Sequence, residues 1–133
     1  MSLPLLCLSA ALTLAGVATN AHAADSSAQA QLTHWEQAAG TSGNADRGMR
    51  LFTSTHGQEW SCASCHGKPP TQDAQHANTG KTIAPLAPAY NPKRFTVLAK
   101  SDKWFRRNCN DVLGRECTAT EKADVLAYLI NIK

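Results

Sequence analysis

The sequence predicts an all-α domain. Three observations carry that prediction: apolar residues recur at helical spacing near the C-terminus, helix-capping signals precede them, and no alternating run is long enough for a strand. With 133 residues, 43% of them hydrophobic, the chain suffices for one domain and is short for two.

In chain order, residues 3–18 are almost wholly apolar, and Ala21-His22-Ala23 places small residues at both key positions of a cleavage site. This predicts a secretory signal peptide over residues 1–23, cut near Ala23/Ala24, and one domain over residues 24–133. The leader departs from type in having no Lys or Arg before its apolar run. An apolar run of 16 residues is also short for a membrane span. Cys7 leaves with the leader, and because residues 1–23 hold no charged side chain the mature chain keeps its net charge of +3.

Residues 27–39, SAQAQLTHWEQAA, read as a helix with Leu32, Trp35 and Ala39 at near-helical spacing and Gly40 as its stop. Residues 45–55 form a second helix, with Gly48, Leu51 and Phe52 on one side. From Gly67 to Asn91 the chain is rich in Pro, Gly, Thr and Asn and shows no periodicity. So long a loop counts against a compact domain unless it packs on a cofactor. Residues 101–108 suggest a helix with Ser101 or Asp102 near its start. The last helix is better signalled: Thr118-Ala119-Thr120-Glu121 has capping-box spacing, and Val125, Tyr128, Leu129 and Ile132 form a stripe.

Five cysteines are an odd number for an exported chain, until each is assigned. Cys7 is lost with the leader, and Cys62, Cys65 and His66 form the C-x-x-C-H signature of covalent haem c. Both thiols make thioethers to the haem vinyl groups and the histidine reaches the iron as proximal ligand. Cys109 and Cys117 remain, an even pair expected to form a disulfide in an oxidising compartment. A structural zinc site would need a second tight knuckle, and a thioredoxin-like pair would need a βαβ setting; neither is present.

The iron's second axial ligand is less plain. The mature chain has one methionine, Met49, which precedes the motif and sits in the place of a core residue. His76 is a possible nitrogen donor, although a solvated loop histidine is the simpler reading. His34 and His56 read as surface residues, and Lys81, Lys93 and Lys100 would bind only when deprotonated. Asn108 and Asn110 complete the set of candidates.

From about residue 45 onward the chain resembles the class I cytochromes c, in which a Gly- and aromatic-bearing first helix packs on the C-terminal one. Gly48, Phe52, Tyr128 and Leu129 match those places; the helix at residues 27–39 is an addition to that fold. The runs TGKTIAPLAPAYNPKRFT, KWFRRNCNDVLGREC and EKADVLAYL closely resemble the SHP-type monohaem cytochromes c, which use an asparagine ligand. That resemblance implies ligation by His66 and Asn108. Val97 departs from the pattern, which has an acidic residue there, and this alters a helix cap.

An amide oxygen is a hard, neutral donor that favours ferric over ferrous iron. The expectation is therefore a one-electron carrier from which Asn108 detaches on reduction, opening the ferrous iron to O2, NO or CO. The resemblance also implies a periplasmic location and a redox-partner cytochrome, possibly dihaem. The alternative is an oxygen or NO reductase, or a diatomic-gas sensor. No distal acid or base can be assigned, which favours carrier over enzyme. Lys93, Arg94, Lys100, Lys103, Arg106 and Arg107 face only Asp102 in charge, a run suited to steering an acidic partner or to neutralising haem propionates. Trp35, Trp60 and Trp104 read as packing residues, with Trp104 and Phe105 as walls of the distal pocket.

Overall fold

The computed structural model describes residues 26–133, and the predicted leader and its cleavage point lie outside the described residues. The described elements are α1 (Ala28–Ala39), α2 (Ala45–Thr53), α3 (Cys62–His66), β1 (Ala74–Gln75), β2 (Thr82–Ile83), α4 (Leu98–Leu113) and α5 (Ala119–Asn131). The fold is all-α, as expected.

Helix α5 is the axis of the domain, with α1 and α2 both packed along it. Its start is set by a complete capping box, in which the Thr118 hydroxyl accepts from the Glu121 amide and the Glu121 carboxylate accepts from the Thr118 amide. On one side of α5, Ala123, Leu126 and Ala127 bury against Leu32 of α1, with Trp35 and Phe105 packed around them. On another, Val125 and Leu129 meet Phe52 of α2. The single stripe read from the sequence therefore covers only half of what α5 buries. Ala123 and Leu126 are core residues because the additional helix α1 covers the other face.

The α2–α5 contact depends on a missing side chain. A Cβ at Gly48 would lie 1.9 Å from the Asp124 carbonyl oxygen, so only glycine permits this helix separation. Arg47 and Asp124 then fasten the crossing, with Arg47 Nε 2.8 Å from Asp124 Oδ2. The Asn44 amide donates to the same carboxylate at 2.6 Å.

Several elements differ from the sequence reading. Helix α1 begins at Ala28 behind a Ser27 cap and stops at Gly40 in the left-handed region, close to expectation. Helix α2 ends at Thr53, two residues early, where Ser54 turns extended. Helix α4 runs from Leu98 to Leu113, well beyond residues 101–108 at both ends, and stops at Gly114 with φ 69°. Its start was hidden because its N-cap, Val97, makes no side-chain capping bond. The loop after α3 contains a two-residue antiparallel ladder pairing Ala74 with Ile83 and Gln75 with Thr82. Met49 is 41% exposed on α2 and so is not a core residue, correcting that expectation. Trp104, read as a packing residue, is 47% exposed. No helix among the described residues is long and apolar enough to cross a membrane.

Candidate functional site

The C-x-x-C-H motif folds as one helical turn because Ser61 before it and Ser64 within it form a capping box. Ser61 Oγ accepts from the Ser64 amide at 3.2 Å, and Ser64 Oγ accepts from the Ser61 amide at 3.0 Å. Cys62 and Cys65 are free thiols at the edge of a cavity of about 520 Å³ that His66 also lines. That volume is in the range of small-molecule and cofactor sites.

Opposite elements complete the enclosure. One face of α4 lines it, with Ser101, Trp104, Phe105 and Asn108 recurring at helical spacing. Asn108 therefore projects from the interior of a long helix rather than from a loop. Asn110, the other candidate, is exposed and is not among the cavity residues. The loop between α3 and α4 supplies Ile83 and Leu86, and Leu86 is held by its amide bonding to the Pro70 carbonyl at 3.1 Å. Thus the long Pro-rich segment closes over the cavity, and Trp104 and Phe105 do stand in its wall.

Desolvation dominates the electrostatics. Burial, with smaller repulsion from Arg94 and His76, lowers the His66 pKa to about 4. The imidazole is thus neutral at ordinary pH, the form that ligates a metal. Burial also pushes the Cys62 thiol up to about 11. His66 Nδ1 is buried without a hydrogen-bond partner. A neutral imidazole, two free thiols and a largely apolar cavity fit a covalently held haem. Zinc fits poorly: Cys109 and Cys117 are consumed by their own disulfide, with Cα atoms 5.5 Å apart.

His76 also lines the cavity, more closely placed than a solvated loop residue. Its Nδ1 accepts from the amides of Asn78 and Thr79, which pins the ring into the β1–β2 turn. His34 and His56 are exposed, as expected. Lys81, Lys93, Arg94, Lys100 and Arg107 line the same cavity against one carboxylate, Asp111. Arg94 is committed to the loop, donating to the carbonyls of Pro85 at 2.9 Å and Ala84 at 2.6 Å.

Sequence reasoning missed Phe95. It lines the cavity with φ 57°, unusual for a bulky residue, and its carbonyl accepts from Gln31 Nε2 of α1 at 2.8 Å. No local signal announces a residue whose conformation is fixed from 64 positions away.

A family profile described as a domain of unknown function, DUF1924, matches residues 38–129. The chain is 48% identical over 111 residues to the cytochrome c-type protein SHP of Cereibacter sphaeroides, across 80% of this chain and 85% of that protein. It is 46% identical over 81 residues to cytochrome c'' of Methylophilus methylotrophus, across 61% of this chain and 56% of that protein. Its fold matches that of oxidized SHP, an oxygen-binding cytochrome c, with a TM-score of 0.74 and 49% identity over 79% of this chain and 96% of the other. Oxidized cytochrome c'' matches with a TM-score of 0.69 and 34% identity, over 78% and 93% of the two chains.

Proposed function

The chain belongs to the DUF1924 family and to the SHP-type cytochromes c, with their covalently bound haem, and from that premise we propose an exported one-electron carrier whose Asn108 ligand is shed on reduction. The haem, when bound, would supply one-electron exchange and a site for O2, NO or CO. Cys62 and Cys65 would hold it by thioethers, His66 would ligate its iron from α3, and Asn108 would offer its amide oxygen from α4. Residues 24–133 form the working domain after the leader is removed on passage to the periplasm.

The observation that carries this reading is the shared cavity: His66 and Asn108 line one space from different elements. The Asn108 amide is a neutral, hard oxygen donor, so it would hold ferrous iron less well than ferric and could leave without any proton moving. Placement on α4 makes the release a side-chain and helix adjustment rather than the swing of a free loop. The SHP of the solved structure is an oxygen-binding cytochrome c, and the solution structure of Methylophilus methylotrophus cytochrome c'' addressed the structural basis of haem-ligand detachment. Both properties carry over here as part of the proposal. The basic residues lining the cavity suit an acidic redox partner, a cytochrome in the simplest case.

Ferric electronic and magnetic-resonance spectra of wild type, Asn108→Ala and Asn110→Ala test the ligand. Asn108→Ala is expected to lose the wild-type axial signature while Asn110→Ala keeps it. A ferric spectrum untouched by Asn108→Ala would remove Asn108 from the site.

A further inference from the structure

Helix α4 is fastened at two points, and Asn108 lies between them. One is the Cys109–Cys117 disulfide, immediately after the proposed ligand. The other is Asp102, whose Oδ1 accepts from Lys122 Nζ of α5 at 2.6 Å. Lys122 is only 6% exposed. Its ammonium lies 4.0 Å from the centre of the Trp35 ring on α1, so three helices meet at this charge.

A buried lysine is an unfavourable choice if stability alone is needed. Removing an ammonium from water is costly, and an apolar residue of similar size usually serves a core as well or better. What the ion pair adds is direction: it accepts one register of α4 and penalises others. The helix needs such a fastening. Among the described elements it lies along none for any length, unlike α1 and α2 on α5. Its first residue has only Val97 as a cap, without a side-chain bond. Within its first two turns, and among the described residues, Asp102 makes the only side-chain bond to another helix, and Arg106 Nη1 stands 3.7 Å from the same carboxylate within α4 itself.

We infer that the Lys122–Asp102 pair is a latch that sets the position of α4, and thereby holds Asn108 at the iron in the ferric protein. Asp102 precedes Asn108 by six residues, a span of about 9 Å along a helix. Both residues are positioning residues, since neither lines the cavity. The inference rests on Asn108 being the ligand, and the experiment separates the two.

Holoproteins carrying Lys122→Met, Asp102→Asn, the double substitution and Lys122→Arg are compared with wild type and Asn108→Ala. The ratio of six-coordinate to five-coordinate ferric haem is read by magnetic resonance, with the midpoint potential measured alongside. Each single substitution is expected to lower that ratio by about fivefold or more, with Lys122→Arg retaining most of it. Arg47→Met, which breaks the α2–α5 pair instead, is expected to lower the melting temperature and leave the ratio unchanged. If a single variant fails to fold, the charge-neutral double variant carries the test with the same expectation. A wild-type ratio in the latch variants, with Asn108→Ala still losing the six-coordinate form, would overturn the latch alone. An unchanged ferric spectrum in Asn108→Ala would overturn the ligand assignment, and the latch with it.

Discussion

Gly48 and Asn108 show what can be read from single residues and what cannot. Gly48 was legible through the resemblance to class I cytochromes c, whose first helix brings a glycine and an aromatic against the last, and a glycine allows that close approach. Gly48→Ala should therefore destabilise the holoprotein by about 1–3 kcal/mol in denaturant unfolding, because the added methyl meets backbone rather than a movable side chain. Phe52, 1% exposed and packed on Val125 and Leu129, should cost about 3–5 kcal/mol as Phe52→Ala, with haem retention reduced as well. Cys62, Cys65 and His66 were legible because their spacing serves one chemistry. Asn108 was legible only through resemblance, since an asparagine in a basic helical stretch carries no mark of a ligand. Gln31 and Phe95 were not legible: a fully buried amide bonded to a strained backbone carbonyl depends on tertiary placement. Met49 was misread for a related reason, as one short helix does not reveal which of its sides faces solvent.

At the scale of elements, capping decided how well each boundary could be read. Helix α5 carries a Thr118–Glu121 box and starts where expected; α4 has an uncapped Val97 and begins earlier than predicted. The α5 cap also yields a pH prediction. The bond from Arg115, aided by those from Thr118, holds the Glu121 pKa at about 2, below its ordinary 4.5. A depressed carboxylate contributes stability that is complete above about pH 4.5 and is lost as pH falls through about 2. Glu121→Gln should cost about 0.5–1 kcal/mol near neutral pH, an amount held down by solvent at this half-exposed site. The difference from wild type should shrink below pH 4.5 in acid unfolding curves; a constant difference would contradict the assignment. The α4–α5 junction carries the disulfide. Replacing Cys109 and Cys117 together by serine should cost about 2–3 kcal/mol, measured by denaturant unfolding.

For the whole molecule, the all-α class and the C-terminal packing were readable because helical periodicity is local. The centrality of α5 was not, because it requires knowing that α1 covers a second face. The Pro-rich loop was read correctly as needing a surface to pack on, and in the structure it closes one side of the cavity. Charge is organised at this scale too: Lys81, Lys93, Lys100 and Arg107 line the one cavity, while Asp102 pairs with Lys122 outside it. Lys93→Glu with Lys100→Glu should slow electron exchange with an acidic redox protein and flatten its dependence on ionic strength, as read by stopped-flow mixing. The central claim, however, is that this site opens when the iron is reduced. It is tested most directly by the coordination state of the ferrous wild-type protein, read by resonance Raman or magnetic circular dichroism before any gas is added. Five-coordinate ferrous haem, with His66 as its protein ligand, is the predicted result. A six-coordinate ferrous haem that keeps an intrinsic second ligand would contradict it.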